Sequence, residues 1–203
     1  KFNEIIKLRE QYKIKIYKPT DKPNNKPTDK INDNKFKYDV IRYLLLCLYT
    51  HLPPLRGGEY LNCKVYQFDT KYVDYQNIIN KTKSNILDLT NKKFIMGISK
   101  TIKSFGMREI NVNNELNTEL ININNILKTK WLIPDLSKDG KEHIKQTALT
   151  SMFNNIFNKK ISTTMLRKIY ISEIVIHKNI NERKKIAYIM GHSLSTQELI
   201  YKK

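Results

Sequence analysis

Five residues of this sequence could together transfer a phosphodiester bond. In chain order they are Arg56, Lys100, Arg167, His192 and Tyr201. A tyrosine hydroxyl can attack phosphorus and hold the phosphate as a covalent ester, so that neither a metal ion nor ATP is required. Two arginine forks can bind the non-bridging oxygens and stabilise the charge that grows in the transition state. A lysine ammonium can protonate the departing 5′ oxygen.

The spacing near the C-terminus is the most specific part of this pattern. The sequence Gly191-His192-Ser193 is followed by Tyr201, nine residues after the histidine. This spacing alone is weak evidence, because the chain contains twelve tyrosines. It gains weight because an Arg-x-x-Glu motif, a loop lysine and a second arginine precede it, and these supply the other groups that the reaction needs.

Together these motifs resemble the active site of the tyrosine recombinase (phage-integrase-like) family. Arg56 and Glu59 match the first family arginine and the glutamate that follows it at a helix start. Arg167 matches the second arginine, which the family usually presents as His-x-x-Arg. Here Thr164 occupies the histidine position. A threonine cannot act as an acid or base near neutral pH, but its hydroxyl can still hydrogen-bond a phosphate oxygen.

The family lysine lies in the turn between two strands, and two residues here could match it. Lys100, within Ile98-Ser99-Lys100-Thr101, is the favoured residue, and Lys103 is the alternative. This assignment rests on position alone, because 37 basic residues make a loop lysine common.

The resemblance implies a site-specific recombinase or integrase catalytic domain that acts on double-stranded DNA without metal or cofactor. Arg56, Arg167 and His192 would then bind the scissile phosphate. Tyr201 would form a 3′-phosphotyrosine while Lys100 protonates the freed 5′ oxygen. The partner strand's 5′ hydroxyl would reverse the reaction. The family's mode of action also implies self-association, as a tetramer on DNA, with this fragment monomeric in solution.

Two other functions remain open. A type IB topoisomerase uses a similar set of residues to relax supercoiled DNA, although the spacing from His192 to Tyr201 argues against it. A non-catalytic basic DNA-binding module with a decayed site is the other alternative, and Thr164 is its best support.

Composition favours a polyanionic partner. The chain of 203 residues carries 37 Lys and Arg against 19 Asp and Glu, a net charge of +18. Such a field attracts nucleic acid or an acidic membrane surface. The longest apolar run, 43–49, is far shorter than the roughly 20 residues that span a bilayer. Cys47 and Cys63 lack metal-binding spacing and predict buried thiols in an intracellular protein, in the host nucleus or cytoplasm if the source is viral.

The elements that must position these residues form an α+β fold. It is predicted to be mainly helical, with one small three-stranded antiparallel sheet. Short strand-like runs occur at 86–89, 93–96 and 108–112. Apolar periodicity predicts helices over 37–51, 57–62, 115–129, 145–158, 163–178 and 181–190.

The chain is expected to divide near residue 36. Residues 1–17 have the pattern of a helix end, and 18–35 repeat Lys-Pro-Thr-Asp-Lys with almost no apolar side chain, which is typical of a linker. We therefore interpret 1–35 as the end of an absent N-terminal DNA-binding domain plus a flexible linker, and 36–203 as the catalytic domain. The many Ile, Asn and Lys residues suit an A/T-rich genome, such as that of a giant virus, virophage or related mobile element.

The charge predicts weak, largely sequence-independent DNA binding that depends steeply on salt. Each phosphate contact releases counterions, so the affinity should fall by about 10³–10⁵ between 50 and 200 mM salt for six to ten contacts. Fluorescence anisotropy with two duplexes of equal length and unrelated sequence measures this. A flat salt dependence would contradict the prediction.

Overall fold

The computed structural model of this chain describes residues 1–18 and 30–201, except for the side chains of 30–32, 200 and 201. Most of the predicted linker, residues 19–29, lies outside the described residues. Four strands are present in the described part: β1 (Cys63–Tyr66), β2 (Asn85–Asp88), β3 (Lys93–Met96) and β4 (Arg108–Asn111). The helices there are α1 (Phe2–Tyr17), α2 (Lys30–His51), α3 (Gly57–Leu61), α4 (Tyr75–Thr82), α5 (Ile102–Phe105), α6 (Asn114–Leu127), α7 (Gln146–Phe157), α8 (Thr163–Glu173), α9 (Ile180–Met190) and α10 (Leu194–Tyr201).

Helix α2 is the centre of the hydrophobic core. From Val40 to Tyr49 every side chain except Arg42 is buried, so this stretch is apolar around its whole circumference. A helix of this kind must be covered on all sides, and α1, α6 and α7 pack against it. Pro53 and Pro54 follow directly and prevent its continuation.

The sheet differs from the predicted one. It has four strands in the order β1-β2-β3-β4, with β1 parallel to β2 and the other neighbours antiparallel. The three predicted strands are therefore present, but the prediction of a three-stranded, purely antiparallel sheet is wrong. Strand β1 has only four residues and no apolar alternation, and the segment 67–84 with α4 makes the crossover that a parallel pair requires.

Helix α2 begins earlier than predicted. The repeat pattern places residues 30–35 in the linker, yet they form the first turns of this helix. No Pro or Gly occurs between Lys30 and His51, and the Lys37 ammonium lies 2.6 Å from the Asp33 carboxylate one turn earlier. Such an i,i+4 pair supports helix in a polar segment.

Helix α1 shares the core of the other helices. Its buried side chains are Phe2, Ile5 and Ile16, and the helix packs along α2. The Phe2 amide also donates a 2.8 Å hydrogen bond to the Glu173 carboxylate at the end of α8. Residues 1–17 therefore belong to the same packed body as the helices that follow.

Capping residues fix the helix ends that matter for the site. The Ser162 hydroxyl accepts a hydrogen bond from the Met165 amide and starts α8, which carries Thr164 and Arg167. Gly191 ends α9 with φ of +65°, a left-handed conformation that glycine adopts readily. No helix in residues 1–18 and 30–201 combines the length and apolarity needed to cross a membrane.

Candidate active site

One open cleft of about 890 Å³ contains five of the six predicted site residues. They arrive from four separate segments: the start of α3, the β3–β4 connection, the first turns of α8, and the turn between α9 and α10. The alternative lysine, Lys103, lies on α5 and does not line this cleft. Tyr201 is the last described residue of α10, and its side chain lies outside the described part. The five predicted residues that line the cleft are Arg56, Lys100, Thr164, Arg167 and His192.

Arg56 connects two walls of the cleft. Its guanidinium donates to the Gly191 carbonyl at 3.2 Å and, more weakly, to the Thr101 hydroxyl at 3.4 Å. Its backbone amide donates to the Glu59 carboxylate at 3.0 Å, which caps the start of α3. The β3–β4 connection that carries Lys100 is called the lysine loop below. Contacts to this loop and to the turn that carries His192 direct the Arg56 side chain across the cleft.

Arg167 is a buried cation held by main-chain oxygens. It is only 4% exposed, and its guanidinium donates to the Pro54 carbonyl at 2.7 Å and to the Met190 carbonyl at 3.1 Å. Among the residues that the structure describes, no carboxylate forms an ion pair with it. Burial of an arginine charge is costly when only carbonyl dipoles offset it. The site is therefore suited to an anion.

His192 is held neutral beside these arginines. Its Nδ1 lies 3.1 Å from the Ser193 carbonyl oxygen. A carbonyl can only accept, so Nδ1 carries the proton and Nε2 carries the lone pair. Burial, and then the charges of Arg167, Arg56 and Arg108, lower the pKa of His192 to about 4. Near neutral pH the imidazole is therefore neutral, with Nε2 unprotonated.

The two remaining predicted residues are accessible. Lys100 and Thr164 are both exposed on the cleft wall, so a ligand in the cleft could reach the ammonium and the hydroxyl. Lys100 occupies the connection between β3 and β4, as the sequence predicts. A flexible ammonium at the rim of a cleft can act as a proton donor to a bound ligand.

Sequence reasoning missed Arg108 as a residue of this site. It is fully buried on β4, and its guanidinium binds both the Glu59 carboxylate and the Ile189 carbonyl. The other Glu59 oxygen accepts from the Arg56 amide. The alternation of the strand could have identified Arg108. Arg108 and Ile110 lie two residues apart and share the buried face of β4, while the alternate positions are exposed.

Glycine is required at position 191 for two reasons: its φ is positive, and neighbouring side chains lie close to where a Cβ would be. A Cβ at this position would lie 2.9 Å from both the Arg108 guanidinium and the Thr101 hydroxyl. The absence of a side chain therefore lets the turn carrying His192 sit directly against the strand and the lysine loop.

The cleft is rich in cations and has one carboxylate, Glu59, which Arg108 neutralises. Two guanidinium groups, an imidazole and an ammonium are the groups that bind a phosphodiester and exchange protons with it. Within residues 1–18 and 30–201, no three His, Cys, Asp or Glu side chains are grouped so as to hold a metal ion.

No protein-family model, curated protein or solved structure matches this chain. The resemblance carried by its motifs therefore remains a prediction. Since a fold by itself does not fix function, the functional inference comes from the cleft residues and their contacts.

Loss of one partner of the buried ion pair should be strongly destabilising. Arg108→Met leaves the Glu59 carboxylate buried and uncompensated, which typically costs about 3–5 kcal/mol. Adding Glu59→Gln to that variant should recover much of the loss, because the unpaired charge is then removed. Urea denaturation of the three proteins measures both effects.

Lys93→Met is the matched control, since it breaks the exposed Lys93–Glu109 pair on the neighbouring strands. An exposed pair contributes at most about 1 kcal/mol. If Arg108→Met cost no more than Lys93→Met, the buried pair would not have the importance assigned to it.

His192 should make the fold less stable in mild acid. Between pH 6.5 and its native pKa of about 4, the unfolded chain binds a proton on His192 and the folded chain does not. The free energy of unfolding therefore falls as the pH drops through this window, by about 3 kcal/mol from this group. His192→Gln should remove that part of the pH dependence. Urea denaturation at pH 4–7 tests this, with exposed His177→Gln as the control. Parallel profiles for wild type and His192→Gln would contradict it.

Proposed function

We propose that this chain is the catalytic domain of a tyrosine-type site-specific DNA recombinase or integrase. It would cleave and rejoin DNA strands through a 3′-phosphotyrosine. The observation that carries the proposal is the convergence of Arg56, Lys100, Thr164, Arg167 and His192 on one cleft from distant parts of the chain.

The two arginines would bind the scissile phosphate. Arg56 approaches from the start of α3 and donates to the Gly191 carbonyl, and Arg167 approaches from the buried side and donates to the Pro54 and Met190 carbonyls. Their positions are fixed before a ligand arrives, so little reorganisation is needed as charge develops. The Thr164 hydroxyl would add one neutral hydrogen bond to a phosphate oxygen.

His192 would serve in two protonation states. With Nε2 unprotonated, it can accept the proton of the attacking tyrosine hydroxyl. A bound phosphate would offset the nearby arginine charges and raise the histidine pKa. The resulting imidazolium would then donate to a non-bridging oxygen and help to stabilise the transition state.

Tyr201 and Lys100 would complete the reaction. The Tyr201 oxygen forms a bond to phosphorus as the bond to the 5′ oxygen breaks, and Lys100 supplies a proton to that leaving oxygen. Rejoining reverses these steps with a 5′ hydroxyl as the nucleophile. The phosphotyrosine conserves the energy of the phosphodiester, so this exchange needs no added energy source.

Double-stranded DNA is the proposed partner, since the chain carries a net charge of +18. We further propose that copies of the chain associate as a tetramer on DNA and that the protein acts inside a cell, in the nucleus or a cytoplasmic viral factory. A mobile element, giant virus or virophage with an A/T-rich genome is the proposed source.

Covalent capture of DNA from a randomised pool tests the proposal and does not require a defined target sequence. The chain is incubated with a pool of nicked duplexes of randomised sequence, denatured, and separated from unbound DNA. Wild type should retain DNA covalently, and peptide mass spectrometry should find the phosphate on Tyr201. Tyr201→Phe should abolish the adduct, because it removes only the nucleophilic hydroxyl.

Tyr188→Phe is the matched control, because Tyr188 is an exposed tyrosine on the neighbouring helix α9. An adduct that survives Tyr201→Phe would exclude Tyr201 as the nucleophile. DNA binding with no adduct at all would favour the non-catalytic module. Relaxation of a supercoiled plasmid without exchange between two captured sites would favour a topoisomerase.

A further inference from the structure

The β3–β4 connection that carries Lys100 is held at one point by a buried amide. Asn85, the first residue of β2, is fully buried. Its side-chain oxygen accepts from the Ile98 amide at 2.7 Å, and its side-chain nitrogen donates to the Ile98 carbonyl at 3.1 Å. The same nitrogen donates to the Glu59 carbonyl at 2.9 Å.

The two hydrogen bonds between Asn85 and Ile98 lie beyond the last residue pair between β2 and β3. The pairing of β2 with β3 extends from Asp88–Lys93 to Ile86–Ile95, and it ends before Ile98 is reached. The Asn85 side chain continues the pairing by offering a donor and an acceptor to one residue, as a neighbouring strand would. An amide can do this because it carries both groups in one plane, whereas a carboxylate can only accept.

Asn85 therefore fixes the lysine loop relative to the first arginine. Lys100 lies two residues after Ile98, and Glu59 belongs to the helix that begins beside Arg56. Arg56 also donates to the loop, through a long 3.4 Å bond to the Thr101 hydroxyl. The three hydrogen bonds of the Asn85 amide are buried, and hydrogen bonds inside a protein are stronger than those exposed to water.

We propose that Asn85 is a positioning residue that holds Lys100 where it can protonate the departing 5′ oxygen. This inference rests on the proposed function. Two of the three Asn85 side-chain bonds go to the loop, so loss of the amide should chiefly misplace the proton donor. The phosphate-binding arginines are held by other contacts.

A change of leaving group separates this role from a general loss of stability. In a duplex with sulfur in place of the bridging 5′ oxygen, cleavage releases a thiolate. Because a thiol has a pKa of about 8.5 and is far more acidic than an alcohol, the thiolate can leave without a proton donor. The duplex used is one recovered by covalent capture, made with either oxygen or sulfur at the scissile position. Single-turnover adduct formation is measured for both.

Asn85→Ser should lower cleavage of the oxygen duplex by up to about 10²-fold, the loss that a displacement of about 1 Å can produce. On the sulfur duplex it should cleave at close to the wild-type rate. Lys100→Ala should show the same rescue, and Arg56→Ala should not. In the Lys100→Ala background, Asn85→Ser should add no further loss on the oxygen duplex.

Asn117→Ser is the matched control. Asn117 is also a buried asparagine, and its side chain donates to the Leu89 carbonyl just beyond the other end of β2. This variant should also lose stability, because it removes a buried hydrogen bond, but it should keep the wild-type ratio of the two cleavage rates. Hydrogen exchange should also be faster at the amides of 98–101 in Asn85→Ser, but not in Asn117→Ser.

Equal losses on both duplexes, or no loss on either, would overturn the positioning role. So would failure of both Asn85→Ser and Asn85→Asp to fold, because Asn85 would then be a residue of general stability. If covalent capture with the wild-type chain recovers no duplex, the proposed function fails, and the catalytic part of this inference fails with it. The exchange measurement would still decide whether Asn85 anchors the loop.

Discussion

The buried ion pair between Arg108 and Glu59 determines how the walls of the cleft meet. Arg108 reaches from β4 to the Glu59 carboxylate on α3 and to the Ile189 carbonyl near the end of α9. Glu59 in turn fixes the Arg56 amide. One pair of charges therefore connects a strand and two helices that are distant in sequence. Replacing such a pair by apolar residues can be neutral or favourable, so its value here lies in fixing one arrangement.

The same concentration of cations makes the cleft complementary to an anion. Arg167 is buried against carbonyls, and burial together with three arginines keeps His192 neutral. Each of these features costs free energy. A phosphate would relieve both, since it would pair with the guanidinium groups and favour protonation of the imidazole.

Much of the fold follows from local patterns in the sequence. The continuous apolar stretch of α2 and the strand-like runs of β2, β3 and β4 each identify their element without tertiary information. Strand β1, helix α4 and the first turns of α2 are short or polar, so their stability comes from pairing and packing with distant segments. Helix α4 does have a helical period, with its less exposed residues at Tyr75, Ile78, Ile79 and Thr82, but eight residues are too few for a stable isolated helix.

In the site, too, some residues could be predicted from the sequence and others could not. The residues that would contact a ligand occur in short motifs, and five of the six predicted residues line one cleft. The residues that hold them, Arg108 and Asn85, occur in no motif. Each acts through partners elsewhere in the chain, such as Glu59, Ile98 and Ile189. A single sequence shows that a polar residue lies on the buried face of a strand, but not which partner it meets.

Main-chain acceptors explain how so few specific residues can define the cleft. Arg56 binds the carbonyl of Gly191, and Arg167 binds those of Pro54 and Met190. Arg56 also donates to the Thr101 hydroxyl. The carbonyl contacts, in contrast, need no particular side chain and depend on the path of the backbone. That path is set by a few residues with special demands. Gly191 permits close approach, and Asn85 joins the lysine loop to α3.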